Sequence, residues 1–316
     1  MLIERGIKRG VNLGGWLSQC DYSEDRLNNF IQESDIEKIA SWGLDHVRIP
    51  VDYNVVETEG GAYLPEGFER LAKAFSWCEK HGLKVILDLH KTKGYSFDKG
   101  EQQVGFFDDE ALQERFIRLW EEFARHYGNM HDRVVFELLN EVTEEKYGPT
   151  WNALSKKTIE RIRKIAPDNL ILVGSYWNNS ASSVHALEKP YDDKVIYNMH
   201  SYDPLLFTHQ GAPWVDKMDI NFRQDFEDAG VTVEFFENFF AEAIAHAKKN
   251  NTVLYCGEYG VIDRAKPEDW VKWYQCINAV FEKHGIARAA WSYKEMDFGL
   301  SDSRLDNIRE ELIKYL

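Results

Sequence analysis

The sequence predicts an α/β fold, a closed (β/α)8 barrel in a single domain spanning residues 1–316. Three observations lead there. Short apolar runs alternate with amphipathic stretches at helical spacing. The runs are apolar on both faces, as parallel strands covered by helices must be. Polar, chemistry-bearing residues recur at the C-terminal ends of the runs, the face on which such barrels build their sites. An open doubly wound sheet is the rival arrangement. It normally begins with a glycine-rich phosphate turn, and GVNLGGW (10–16) is not a GxGxxG opening a helix.

The runs that read as strands are KRGVNLGG (8–15), HVRIPVD (46–52), KVILDLH (84–90), VVFELLNE (134–141), LILVGSYWN (170–178), VIYNMHSY (195–202), VLYCGEYG (253–260) and ARAAWSYK (287–294). Between them, SDIEKIASWG (34–43) predicts a helix capped by Ser34 and stopped at Gly43. FERLAKAFSWCEKHG ends at Gly82, and DEALQERFIRLWEEFARHYG ends at Gly128. Stretches 151–166, 180–188, 233–250, 267–285 and 303–315 complete the set of expected helices. The polar residues at the strand ends are Asn12, Arg48, His90, Asn140, Glu141, Trp177, Asn178, His200, Tyr202, Glu258 and Trp291.

Composition narrows the class of function. With 38 basic and 53 acidic residues the net charge is −15, which argues against nucleic acid or an anionic membrane as partner. No run is long enough to span a bilayer. The N-terminal MLIERGIKRGVNLGG has no apolar signal core, so the chain reads as cytoplasmic, or as secreted if a leader has been removed. A monomer is expected. Cys20, Cys78, Cys256 and Cys276 show no metal-ligand spacing. The 10 Trp, 15 Tyr and 18 Phe exceed what a plain scaffold needs and suit a site that stacks flat apolar faces.

Glu141 and Glu258 end the fourth and seventh strands, on opposing sides of an eightfold ring. Two carboxylates facing across a cleft are what glycosidic hydrolysis requires: one protonates the leaving oxygen, the other attacks the anomeric carbon or activates water. Arg48 and Tyr202 are candidates to keep Glu258 ionised, and proximity to that charge would help hold the proton on Glu141.

RGVNLGGWL, DHVRIPVDY, LDLH, FELLNE, HSY, YCGEYG and AAWSYK, in this order and spacing, resemble glycoside hydrolase family 5, a family of retaining β-glycosidases on (β/α)8 barrels. The likeness covers residues 8–300 and is strongest to compact clostridial-type endo-β-1,4-glucanases. It implies Glu141 as acid/base and Glu258 as nucleophile, with Arg48, His90, Asn140, His200, Tyr202 and Trp291 lining the subsite of the attacked sugar. Asn12 and Trp177 join them as substrate-binding candidates. The implied substrate is a β-linked oligo- or polysaccharide, cellulose-type or mixed-linkage glucan first, with exo-acting β-glucosidase, β-1,3-glucanase or β-mannanase activity as alternatives. No metal or organic cofactor is implied. Three departures bear on substrate: Lys91 follows His90 where the family often has a second His, Trp177 replaces a smaller residue, and the segment from His200 to Glu258 is shorter.

Other residues have plainer readings. Asp88 and Glu137 lie below the rim, where buried charges must be paired, and Arg48 is the expected partner. His46, His81, His126 and His284 are expected at the surface or at helix ends. Trp77, Trp120 and Trp273 read as core, whereas Trp16, Trp177, Phe207 and Trp214 fall in rim loops and are candidate sugar platforms. The stretch 203–214 is expected to wall the cleft, with His209 or Gln210 within reach of sugar. Two rival functions remain: a metal-dependent hydrolase using His90, His200 and the two Glu, and a carbohydrate-binding barrel without catalysis.

Overall fold

The computed structural model describes residues 1–98 and 104–316. Eight parallel strands close into a barrel in sequence order: β1 (Arg9–Asn12), β2 (His46–Asp52), β3 (Lys84–Lys91), β4 (Val134–Glu137), β5 (Ile171–Val173), β6 (Val195–Ser201), β7 (Leu254–Tyr259) and β8 (Ala287–Ala290), with β8 pairing back onto β1. Helices Glu33–Ser41, Pro65–Lys80, Glu110–Tyr127, Gly148–Arg163, Val233–Lys249 and Pro267–His284 lie between strands. Their apolar stripes, such as Phe116, Trp120 and Phe123 or Trp270, Trp273 and Ile277, pack on the outer face of the strands in one continuous core. A second cluster, including Ile86, Val135, Leu172, Ile196 and Tyr255, fills the barrel interior.

The structure shifts several expected elements. The helix expected at 180–188 is a 3-10 turn over Ala181–Ala186. Ser180 and Ser183 explain it: their hydroxyls bond to nearby backbone, competing with the helical ladder. The stretch 303–315 breaks into short pieces, with only Arg309–Leu312 α-helical. Ser34 is not a cap. The first long helix starts at Glu33, and the Asp35 carboxylate accepts from the Gln32 N–H at 2.9 Å. His46 is fully buried inside the barrel rather than at the surface. Its ring lies 2.9 Å from the Tyr255 hydroxyl and 2.6 Å from Asp45, and Gly10 makes room for it, since a Cβ there would meet the ring at 2.5 Å.

Several strands end earlier than expected, and the endings of β4 and β5 matter for the site. β4 stops at Glu137, so Asn140 and Glu141 stand beyond the regular ladder. β5 stops at Val173, and Trp177, Asn178 and Asn179 form a left-handed turn with φ of 51°, 55° and 54°. Side chains other than glycine adopt that region uncommonly, Asn among the more tolerant. Asn179 ties the turn down by donating to the Asn140 carbonyl, and Gly174 leaves space for its amide.

Candidate active site

The C-terminal mouth of the barrel opens on a cleft of about 870 Å³. Glu141, Glu258, His90, His200, Tyr202, Trp291 and Trp177 all line it. Beneath its floor lies Arg48, fully buried. Its guanidinium donates to Glu137 twice at 2.7 Å, to Glu258 Oε1 at 2.7 Å, and to Asn12 and Asn140 at 2.8 Å, and it pairs with Asp88 at 2.9 Å. The fork of a single Arg therefore sets the positions of strands two, three, four and seven at once.

Glu258 reaches the cleft through an irregularity in β7. The pairing runs Met199 with Cys256, then His200 with Glu258, so Gly257 is the extra residue of a bulge. Asn198 accepts from the Gly257 N–H at 3.0 Å, and Asn12 donates to the Gly257 carbonyl at 2.9 Å. Glu258 is further held by the Tyr202 hydroxyl, which donates to Oε2 at 2.9 Å. Burial disfavours its charge, but the charges of His200 and Arg48 and the Tyr202 hydrogen bond outweigh burial, and the carboxyl sits below the ordinary carboxylate range.

Glu141 has the opposite environment. Burial raises its proton affinity above the ordinary value, and the charge of Glu258 adds to that, against hydrogen bonds from His200 and Asn178. His200 Nδ1 lies 2.8 Å from Glu141 Oε1, and Asn178 donates to Oε2 at 2.6 Å. Single ligand atoms of Glu141, His200 and Glu258 all fall within 4.8 Å of one another. One oxygen of each carboxylate thus approaches the other closely across the cleft, in keeping with a retaining pair, whose carboxyl groups stand about 5–5.5 Å apart.

The ring of Trp291 lies parallel to His90, centroids 5.9 Å apart at 4°, and Phe97 meets His90 edge-on at 4.9 Å. Burial and the Arg48 charge hold His90 neutral well below its ordinary value. Two buried nitrogens beside the carboxylate pair have no partner among the described residues, Asn140 Nδ2 and His200 Nε2. Both are free for a sugar hydroxyl.

Not every candidate reaches the cleft. Asn12 is fully buried, and its amide donates to the carbonyls of Gly257, Ala289 and Ala290 while its oxygen accepts from Arg48. It braces β1, β7 and β8 under the site. Trp16 and Phe207 are buried and offer no platform; Trp16 donates to the Leu27 carbonyl. Gln210 is tied to Phe207 and Gln224, away from sugar. Trp177 and Trp214 remain as exposed tryptophans on the cleft wall, with His209 beside Trp214. Asp88 and Glu137 do pair with Arg48. Sequence reasoning overlooked Gln19, Phe97 and Asp98 as lining residues, and the hold of Asn178 on Glu141. Gln19, Phe97 and Asp98 carried no signal, because they lie in loops with no strand-end position to mark them.

Comparison with known proteins decides the family. The model for cellulases, glycosyl hydrolase family 5, matches residues 9–297. The chain belongs to glycosyl hydrolase family 5. It is a retaining glycoside hydrolase of β-1,4-linked glucan. The family 5 chain is 54% identical to Cellodextrinase A of Ruminococcus flavefaciens, over 91% of this chain and 86% of that protein. It is 32% identical to Endoglucanase C of Acetivibrio thermocellus, over 98% and 97%. Among solved structures it superposes on Thermotoga maritima Cel5A, captured with mannotriose, with a TM-score of 0.85 at 25% identity over the full length of both chains. Among the described residues of this glycosidase, no helix is long and apolar enough to cross a membrane.

Glu141, His200 and Glu258 are also the one group of described residues with a metal-ligand spacing. The donor set fits a divalent cation poorly. The Arg48 guanidinium already occupies one Glu258 oxygen at 2.7 Å, so a second cation would face that positive charge at close range.

Proposed function

We propose that Glu258 is the nucleophile and Glu141 the acid/base of a double displacement on short β-1,4-linked gluco-oligosaccharides. The observation that carries the assignment is the contrast across the cleft: one carboxylate pressed below its ordinary proton affinity by positive neighbours, its partner raised by burial. Glu258 attacks the anomeric carbon while the Glu141 proton passes to the leaving oxygen, breaking the glycosidic bond. Glu141, now ionised, takes a proton from water as that water displaces Glu258 and regenerates it. Tyr202, whose burial beside Glu258 keeps its hydroxyl protonated, donates to the carboxylate in its resting state. Asn140 offers its unpartnered amide to the sugar 2-hydroxyl, a contact that strengthens in the transition state. Trp291 supplies the apolar face against the pyranose ring.

The leaving group lies on the Trp177 side. Asn178 holds the acid, so the sugar that receives the proton rests against its neighbour in the same turn. The 54% identity to a protein named a cellodextrinase supports short chains as preferred substrates. The 32% identity to an endoglucanase supports retained action within longer ones. A product profile tests the substrate. Cello-oligosaccharides, mixed-linkage glucan, laminarin and mannan are incubated with EDTA present; fastest turnover is expected on soluble β-1,4-oligosaccharides, unaffected by the chelator. Azide tests the roles. Glu258→Ala should lose activity and regain turnover as a glycosyl azide of inverted, α configuration, while Glu141→Ala should yield the β-azide with activated substrates. The reverse pattern would exchange the two assignments.

A further inference from the structure

Lys91 stands where the family often places a second histidine, and the structure shows what it is doing there. Its ammonium lies 2.6 Å from Asp98 and 3.9 Å from Asp52, both pairs drawn from the rim of β2 and β3. It also sits 5.7 Å from the Phe97 ring centroid. Asp98 is held a second time, by the Gln19 amide donating at 3.1 Å. Gln19 is itself fixed in a left-handed conformation, φ 52°, with its backbone N–H donating to Asp52 at 3.2 Å. Asp52 gathers this corner together: the Ser18 hydroxyl donates to it at 2.8 Å, and Tyr22 donates to it as well. The lysine is thus buried beneath a polar wall, with the Asp98 carboxylate and the Gln19 side chain partly exposed in the cleft.

The place of this wall along the cleft follows from its neighbours. Trp291 and His90 line the cleft where the attacked sugar rests, Phe97 packs edge-on against His90, and Asp98 follows Phe97 in the chain. The acid and its turn, Asn178 and Trp177, lie on the strand-four and strand-five side. The Gln19–Asp98 wall is therefore on the side away from the leaving group, where the non-reducing part of the chain lies. A carboxylate with two acceptor oxygens and an amide suit a pair of adjacent sugar hydroxyls. An internal sugar of a β-1,4 chain has its 4-hydroxyl tied up in the linkage, whereas a terminal one offers it.

We propose that Asp98 and Gln19, propped by Lys91, bind the hydroxyls of the non-reducing terminal sugar and thereby fix how many units lie on the non-reducing side of the cut. Asp98 and Gln19 are the specificity-determining residues, and Lys91 is a positioning residue that acts through Asp98. The proposal rests on the reading of Glu141 and Glu258 given above and on the polarity that reading assigns to the cleft. On this proposal the wall stands one sugar beyond the attacked one, so two units are retained. The wall rewards a chain end without closing the cleft.

The test uses cellotetraose and cellopentaose tagged at the reducing end, and reads which untagged sugar is released. Wild-type enzyme is expected to release untagged cellobiose from both, with untagged cellotriose less than one-tenth of it. Asp98→Ala and, separately, Gln19→Ala should raise the cellotriose share from cellopentaose at least fivefold. Lys91→Met should do the same, and Lys91→Arg, which keeps the charge beside Asp98, should restore the wild-type ratio. A purely structural role would lower all rates together and leave the ratio unmoved. An unchanged ratio in both the Asp98 and Gln19 variants, or a wild-type cut that keeps a fixed distance from the tagged end, overturns the proposal. No cleavage of any β-1,4-oligosaccharide by the wild type would instead overturn the underlying assignment of function.

Discussion

Arg48 decides which carboxylate in the cleft is charged. Asp88, Glu137 and Glu258 all touch its guanidinium, yet one positive charge cannot balance three buried anions. Burial raises Asp88 and Glu137 to about 7 against the pull of Arg48, so these two give up their charge more readily than Glu258 as pH falls. The charge of Arg48 is then available to Glu258, which is also the one with a phenol hydroxyl and His200 close by. Removing the arginine leaves the acids without a counter-charge. Arg48→Met should cost about 3–5 kcal/mol in urea unfolding, the scale of a broken buried pair. His200 works on both carboxyls of the cleft: its positive form lowers the proton affinity of Glu258 and, through hydrogen bond and charge, that of Glu141. In the wild type the acid limb of kcat/KM should fall below the ordinary carboxylate range and the alkaline limb above it. His200→Asn removes the charge, and both limbs should move to higher pH. Profiles with unmoved limbs would separate His200 from the proton balance.

At the scale of the element, two departures from regular structure aim the chemistry. The β7 bulge turns Glu258 toward the cleft, and it depends on glycine for space. A Cβ at Gly257 would meet Asn198 Oδ1 at 2.9 Å and His200 Nε2 at 3.1 Å. Gly257→Ala should destabilise the protein by about 1–3 kcal/mol, the usual cost of overpacking. It should also lower kcat by roughly 10²-fold, as expected when a reacting group is displaced by about 1 Å. Thermal unfolding and steady-state kinetics on cellotetraose separate the two effects. The left-handed turn after β5 is the second departure. It exposes Trp177 to the cleft in the same stroke that brings Asn178 onto Glu141. Strain of this kind persists only where its surroundings overdetermine it, and Asn179 on the Asn140 carbonyl does that here.

Across the whole molecule, the barrel buries acids that a smaller core could not. Asp52 and Asp203 are raised by burial to about 6, joining Asp88 and Glu137 at about 7. Between pH about 4 and 7 the folded state therefore binds more protons than the unfolded chain, and stability falls as pH rises through that window. His200, raised by its carboxylate partners against burial, acts in the same direction. His90 and His209, lowered by burial, oppose it over the acid part of the window. With these acids, and Glu141, Glu57 and Asp263 raised by burial as well, against two lowered histidines, the unfolding midpoint should be higher at pH 5.5 than at pH 8. A midpoint that rises over this interval would mean that these acids are not protonated in the folded state.

The barrel was legible in the sequence because its periodicity is a local property: helices with one apolar stripe and strands apolar on both faces leave few ways to bury both. The carboxylate pair was legible for the same reason, since a polar residue ending an apolar strand stands out against its neighbours. Where local patterning ended, only the tertiary structure decided. Trp16 and Phe207 read as rim aromatics and are buried, because exposure of a loop residue depends on what folds over it. Asn12 reads as a site residue and is a brace, because the carbonyls it binds come from distant strands. His46 reads as a surface residue and lies inside the barrel, in space left by a glycine on the neighbouring strand. Of the corner of Gln19, Asp52, Lys91 and Asp98 only Lys91 stood out in the sequence, since its parts come from separate loops and strand ends and meet only in the fold. Periodicity and strand-end chemistry are written along the chain; exposure, pairing of buried charge and the shape of the cleft arise from long-range contacts that no window of the chain contains.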